Sequence, residues 1–131
     1  MNLQNYFAQT IGKGVLATAS SDGRVDAAVF SRPHFMEDGT VVFIMRKRLT
    51  HSNLQTNPYA TYLFIEEKRG YAGVRLFLKK IREDQDPELL AKMTRRNLSA
   101  EEDAAKGPKF IVYFAVEKTL ELIGGEEITL R

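Results

Sequence analysis

Residues 43–58 read FIMRKRLTHSNLQTNP and carry the most structural information in this chain. An apolar segment, Phe43 to Met45, runs directly into three consecutive cations, Arg46 to Arg48, and a short polar segment follows before Pro58. The residue before a proline is driven out of the α region, so a helix over Ser52 to Asn57 must end there. The stretch therefore predicts a strand, a basic loop and a short helix in succession.

The basic loop has the chemistry of a phosphate site. A phosphate dianion needs hydrogen-bond donors together with positive charge, and the backbone N–H groups at a helix start supply donors while Arg and Lys supply charge. Thr50, His51 and Ser52 add further donors directly after the cations. The same pattern also fits a solvated loop followed by an ordinary capped helix, and both interpretations stand at this point.

Length and composition exclude several classes of protein. A chain of 131 residues predicts a single domain over residues 1–131. The absence of cysteine excludes disulfides, iron–sulfur clusters and cysteine-ligated zinc. The only histidines, His34 and His51, have no carboxylate at a metal-ligand spacing, so no metal site is expected. A net charge of +2 is too small to indicate a nucleic-acid partner.

Neither export nor membrane insertion is expected. The N-terminus, Met1 to Asn5, has no basic region followed by a long apolar run, and no run of about eighteen apolar residues occurs elsewhere. A cytoplasmic location without membrane contact is the resulting expectation. No Ser-His-Asp order, nucleophile elbow or nucleotide-binding glycine fingerprint is recognisable. The sequence therefore does not indicate a hydrolase or a protein that binds nucleoside triphosphates.

Upstream of the basic loop, the sequence reads as a helix and three strands. Leu3 to Ile11 has the apolar spacing of a helix that Gly12 and Gly14 stop. Two Asp-Gly turns, at residues 21–23 and 37–39, are strong hairpin signals. They join antiparallel strands predicted at residues 15–20, 24–31 and 40–45.

Downstream of the loop, strands are predicted at residues 59–65, 72–82, 110–116 and 119–123. Asp86 is the cap of a helix that begins with Pro87 and ends near Asn97, and a polar connection covers residues 99–108. The apolar run Phe110 to Val116 indicates a strand buried on both faces. Six or seven antiparallel strands predict a mainly β fold closed into a small barrel, because closure removes exposed edges.

These elements, in this order, resemble the FMN-binding split-barrel family related to pyridoxamine 5'-phosphate oxidase, over almost the whole chain. The resemblance is carried by Gly12 to Thr18, the turn at 21–23, the basic loop with Asn57-Pro58, Tyr71 to Leu76, and Asp86 to Glu88. It implies a six-stranded antiparallel split β-barrel with an N-terminal helix and an inserted late helix. It also implies a homodimer with two FMN molecules at the subunit interface.

The resemblance also implies where FMN binds. The cofactor-binding residues would lie on two strands and the following loop: Val29, Phe30, Ser31, Arg32, Ile44, Met45, Arg46, Lys47, Thr50 and His51. Arg32 would be the cation near the flavin ring. Thr50 stands where the family commonly has a phosphate-binding lysine, so the phosphate charge would be met by Arg46, Lys47 or Arg48. We expect joint replacement of Arg46 and Lys47 by Ala to weaken FMN binding strongly.

The function implied is that of an FMN-dependent oxidoreductase or electron-transfer protein. Vitamin B6 oxidation is not expected, because true pyridoxamine-phosphate oxidases carry a further basic, His-containing C-terminal segment beyond the point where this chain ends, at Arg131. One alternative is a non-catalytic module that binds or senses flavin or haem. Another is a barrel that binds single-stranded nucleic acid with its cations and with Tyr59 and Tyr62, which is disfavoured because these aromatics alternate into the predicted core.

Overall fold

The architecture is known from a computed structural model that describes residues 2–94 and 98–128. Within these ranges the chain forms seven strands and four helices. In chain order they are α1 (Leu3–Gln9), β1 (Gly12–Ala19), β2 (Val25–Val29), β3 (His34–Phe35), β4 (Val41–Arg46), α2 (Leu49–Thr56), β5 (Tyr59–Glu66), β6 (Gly73–Asp84), α3 (Pro87–Met93), α4 (Ala100–Ala105) and β7 (Lys109–Glu121). The mainly β fold with a leading helix and late helices is confirmed.

All seven strands belong to one antiparallel sheet, in the order β2-β1-β5-β6-β7-β4-β3. The edge strands β2 and β3 follow each other in the chain and are joined only by residues 30–33. Seven flat strands would hold the edges about 29 Å apart, whereas the chain from Val29 to His34 spans at most about 18 Å. The sheet must therefore curl until its edges approach, and residues 30–33 bridge the split.

The barrel interior is filled by aromatic and branched side chains. Tyr62, Phe64 and Phe114 are completely buried. The ring of Phe7, from α1, packs edge-to-face on that of Phe64 with 4.9 Å between centroids. Because alternate residues of β5 and β6 point inward, the other half of each strand faces out of the barrel.

Helix α3 covers the outer face of β4 and β7. A second apolar cluster lies there, formed by Val42, Ile111 and Tyr113 with Met36, Leu89, Leu90 and Met93 packed against them. The alternate residues of β7, Val112 and Phe114, belong to the barrel core. The predicted burial of this strand on both faces is therefore confirmed over Ile111 to Phe114.

Strand β7 corrects the sequence prediction of two separate strands. The segments predicted at residues 110–116 and 119–123 form one strand that ends at Glu121. Leu78 pairs with Val116 and Phe77 with Lys118, so the strand bulges at residue 117. The polar pair that interrupts the apolar run is thus accommodated without ending the strand.

Two helix boundaries also differ from prediction. Helix α1 stops short of Ile11 because Thr10 has extended backbone. Helix α2 begins at Leu49 rather than Ser52, and the N–H of Ser52 donates to the carbonyl of Arg48 at 2.9 Å within its first turn. The basic loop is therefore shorter than predicted, and Thr50 and His51 lie in the helix.

Helix α4 lies inside the connection predicted to be only polar. Its cap is Ser99, whose hydroxyl accepts from the N–H of Glu102 at 3.1 Å. A Ser followed three residues later by Glu is a capping signal that the sequence contains. Helix α3 begins after Asp86 as predicted, but it ends at Met93 and not near Asn97, because Thr94 has extended backbone. No helix within the described ranges is long and apolar enough to cross a membrane.

Candidate functional site

A cavity of about 240 Å³ lies at the split of the barrel. Its walls come from the bridge between β2 and β3, from β4 and the loop after it, and from the segment between α3 and β7. Six of the ten predicted cofactor-binding residues line it: Phe30, Ser31, Arg32, Ile44, Met45 and Arg46. The structure thus brings together the two separate segments that the sequence singled out.

Gly14 and Tyr62 fix the bridge at Phe30. The N–H of Phe30 donates to the carbonyl of Gly14 at 3.0 Å, and the hydroxyl of Tyr62 donates to the carbonyl of Phe30 at 3.1 Å. A methyl group at Gly14 would overlap the Tyr62 hydroxyl and ring. Glycine is therefore required at this position for the buried tyrosine to reach the bridge and satisfy its backbone.

Arg32 connects the cavity to helix α1. Its Nη1 donates to the carbonyls of Phe7 and Thr10 at 2.9 and 3.0 Å. These carbonyls lie at the C-terminal end of α1, where a cation is favoured by the helix dipole. The guanidinium is therefore held in place while it contributes positive charge to the cavity wall.

Arg46 and Lys109 form a second cationic group around one carboxylate. The two residues are cross-strand partners on β4 and β7. Arg46 Nη2 and Lys109 Nζ lie 2.6 and 3.1 Å from the same oxygen, Oδ1 of Asp103. Hydrogen bonds from Arg46, and then from Lys109, lower the pKa of Asp103, although its burial opposes the shift.

Positive charge dominates the cavity lining. Arg32, Arg46, Arg48, Lys106 and Lys109 contribute five cations, and Asp103 is the one carboxylate among the described lining residues. Within the described parts of the chain, the side chains of Arg48 and Lys106 have no hydrogen-bond or ion-pair partner. These two cations are available to an anionic ligand without breaking a contact.

Several of these lining residues were not predicted from the sequence to belong to the site. Lys106, Lys109 and Asp103 lie in or beside a segment that the sequence analysis assigned only to a polar connection. Their charges are recognisable in the sequence, but their proximity to Arg46 depends on the pairing of β4 with β7. No local pattern contains that pairing.

Four predicted cofactor-binding residues do not line this cavity. Val29 is 81% exposed on the outer face of β2, and Lys47 is exposed at the end of β4. Thr50 is buried, and its hydroxyl lies 3.3 Å from Oδ2 of Asp26. His51 is buried as well. Within one chain, the cations that approach the cavity from this loop are therefore Arg46 and Arg48.

His51 belongs to a polar cluster that joins α2 to β6. Its ring stacks on that of Phe110 with 4.0 Å between centroids, and its Nε2 lies 2.9 Å from Oε2 of Glu83. Gln55 and Lys80 donate to the other oxygen of Glu83 at 2.8 and 2.5 Å. Burial alone would raise the pKa of Glu83, but hydrogen bonds from Gln55, Lys80 and His51 outweigh it and lower the pKa to about 2.

This cluster predicts a loss of stability in acid. A carboxyl group with a lowered pKa in the folded state stabilises the fold above its unfolded value, here 4.5, and the stabilisation is lost as pH falls towards 2. We expect Glu83→Gln to lower the free energy of unfolding at pH 7 by about 2 kcal/mol. Urea unfolding at a series of pH values measures the deficit, which should shrink between pH 4.5 and 2.

The matched control is Glu67→Gln, which removes the same charge from an exposed turn residue. It should leave stability unchanged across the same pH range. A Glu83→Gln deficit of the same size at both ends of the range would contradict an origin in the carboxylate charge.

Comparison with known proteins identifies the fold. No protein-family model matches the chain, and no curated protein sequence matches it. An FMN-binding protein from Syntrophomonas wolfei subsp. wolfei is similar in structure, with a TM-score of 0.68 and 14% identity, over 94% of this chain and 85% of that one. A putative pyridoxamine 5'-phosphate oxidase from Lactobacillus delbrueckii gives a TM-score of 0.64 and 14% identity, over 88% of each chain.

The heme storage protein HutZ from Vibrio cholerae is also similar, with a TM-score of 0.67 and 19% identity over 92% of this chain and 95% of that one. At identities this low, the structural similarity establishes the fold and nothing beyond it. The chain therefore has the pyridoxamine 5'-phosphate oxidase-like split-barrel fold, as the sequence resemblance implied. Proteins with this fold in the comparison include ones described as FMN-binding and as storing heme.

Proposed function

We propose that this protein binds FMN and acts as an oxidoreductase or electron-transfer protein. The observation that carries the proposal is the cavity at the split, whose lining combines the apolar residues Val42, Ile44 and Met93 with a group of cations. A flavin ring is large and flat and favours an apolar wall, whereas its phosphate needs Arg or Lys. Both requirements are met within one cavity.

The residues present fit distinct parts of the cofactor. Arg46, Arg48, Lys106 and Lys109 are the candidate phosphate ligands, because all four line the cavity. Arg32 would favour negative charge on a bound ring, and its two carbonyl contacts keep it from turning to solvent. When bound, FMN supplies one-electron and two-electron redox chemistry.

A second subunit is part of the proposal. The cavity of about 240 Å³ is smaller than the roughly 300–1,000 Å³ typical of ligand sites, so one chain would enclose only part of FMN. Directly paired residues of neighbouring strands point to one face, and Val29, Val15 and Leu63 form such a row on the outer face of the sheet. Val29 is 81% exposed in the single chain.

This outer face has the character of an interface between identical subunits. The next row of paired residues, Ala27, Ala17, Thr61 and Phe77, continues it with small and apolar side chains. The cations Arg75 and Lys118 are the next residues in these two rows and border the apolar part of the face. An exposed apolar surface marks an interaction site, and a two-fold dimer would cover it with the same face of the partner. Such a dimer would bring Val29 to the interface, where the sequence resemblance places the flavin.

The absorption spectrum of the purified protein tests the proposal, with light scattering on the same sample. We expect flavin bands, either directly or after addition of FMN, and the mass of a dimer. A protein that neither carries FMN nor takes it up is not a flavoprotein. A monomer that still binds FMN would contradict the shared site while leaving the flavin assignment in place.

Haem is the second candidate ligand, and a specific residue favours it. His34 lines the same cavity, and a histidine is the commonest type of haem-iron ligand in globins and peroxidases. A Soret band on addition of haemin, lost in His34→Ala, would support haem in place of FMN. The alternative of single-stranded nucleic-acid binding is weakened, because Tyr62 is completely buried and cannot stack on a base.

A further inference from the structure

Asp103 occupies the position that an anionic ligand group would take. Arg46 and Lys109 face each other across two paired strands, and like charges so placed repel unless an anion lies between them. The carboxylate of Asp103 supplies that anion, with one oxygen in contact with both cations. A phosphate group held by the same two cations would need the same space.

Helix α4 depends on this contact. The helix is six residues long and buries none of them. Arg46 attaches it to the sheet by donating from Nη1 to the carbonyls of Asp103 and Gly107 at 3.1 and 2.7 Å, in addition to the carboxylate contact. An element held by polar contacts with little apolar burial opens at low cost in free energy.

The carboxylate is also the accessible member of the group. The side chain of Asp103 is 37% exposed, whereas those of Arg46 and Lys109 are 16% and 18% exposed. A ligand that enters the cavity can therefore replace the carboxylate without first exposing the cations. Arg48 and Lys106, which have no ion-pair partner among the described residues, line the same cavity and would attract that ligand.

We propose that Asp103 is an internal competitor that occupies Arg46 and Lys109 until an anionic ligand group displaces it, and that α4 moves with it. The ligand is taken to be FMN through its phosphate, so this inference rests on the proposed function. Asp103 thereby lowers affinity for the phosphorylated form of the cofactor, and it has no such effect on a ligand that lacks the phosphate.

The test compares Asp103→Asn with Glu101→Gln. Both remove one negative charge from the first turn of α4, but Glu101 is exposed and has no side-chain partner among the described residues. Fluorescence titrations with FMN and with riboflavin measure the two affinities. The rise in unfolding temperature on addition of inorganic phosphate measures anion binding independently of flavin. Circular dichroism checks that each variant is folded.

We expect Asp103→Asn to tighten FMN binding about three- to tenfold, the range that a partly exposed ion-pair network allows. Riboflavin affinity should not change, and Glu101→Gln should change neither. Equal FMN affinity in wild type and Asp103→Asn would overturn the competition and leave the flavin assignment intact. An equal gain for riboflavin would also overturn it, because the helix would then act only as a steric cover.

Protection by inorganic phosphate distinguishes a failure of the competition by Asp103 from a failure of the proposed flavin binding. If no variant binds flavin, stronger protection of Asp103→Asn than of wild type by inorganic phosphate would support competition at an anion site. Equal or absent protection would overturn the competition together with the flavin assignment.

Discussion

Replacing Arg46 with Ala is expected to weaken FMN binding about 100-fold, whereas replacing Lys47 with Ala should leave it within about twofold. Charge-assisted hydrogen bonds to a partly buried anion contribute about 1.5–3 kcal/mol each, and 1.4 kcal/mol corresponds to a factor of ten in affinity. Arg46 lines the cavity, and its side chain is only 16% exposed. Lys47 is exposed and lies outside the cavity lining.

The two single variants separate contributions that the sequence assigned jointly to this pair. Lys47→Ala is the matched control, because it removes one neighbouring cation from the same loop. Fluorescence titration with FMN measures both affinities. A larger loss in Lys47→Ala than in Arg46→Ala would place the phosphate on the outer side of the loop and contradict the site at the split.

Replacing Gly14 with Ala is expected to lower the free energy of unfolding by about 3 kcal/mol, combining overpacking with a lost hydrogen bond. The added methyl group would overlap the hydroxyl and ring of Tyr62, which is completely buried and cannot move aside freely. Any shift of the ring would break its hydrogen bond to the carbonyl of Phe30. Urea unfolding measures the loss.

Gly125→Ala is the control for this substitution, because a methyl group at Gly125 would have no atom within 4 Å. Its stability should stay within about 0.5 kcal/mol of wild type. We also expect Gly14→Ala to weaken FMN binding through the displaced bridge. Wild-type stability in Gly14→Ala would show that the ring adapts and that the bridge does not depend on this glycine.

Local sequence signals predicted most of the strands. The first Asp-Gly turn and the alternation of apolar residues in β6 act between near neighbours in the chain, so the sequence contains them directly. The second Asp-Gly turn joins β4 to the short strand β3, which was not predicted, and not to β2. The predictions that needed correction depended on longer contacts. β7 continues past residue 117 because pairing with β6 absorbs a bulge, and α4 is attached by Arg46, which lies 61 residues before its acceptor Gly107.

For the candidate site, too, local sequence signals predicted some features and long-range contacts determined the others. The sequence by itself determined that a strand from Phe43 leads into three cations and a helix, and that the order of elements matches a split barrel. Only the tertiary structure decided that Arg46 lies opposite Lys109 with Asp103 between them, while Thr50 and His51 are buried in contacts with Asp26 and Glu83.

Only the tertiary structure decides these contacts, because the neighbours of a side chain on a strand depend on which strand pairs with its own. Register between β4 and β7 is set by the whole sheet and its core, and it places residues together that are far apart in the chain. A run of cations in the sequence therefore predicts an anion site nearby. The fold determines which of those cations face it and which carboxylate competes for them.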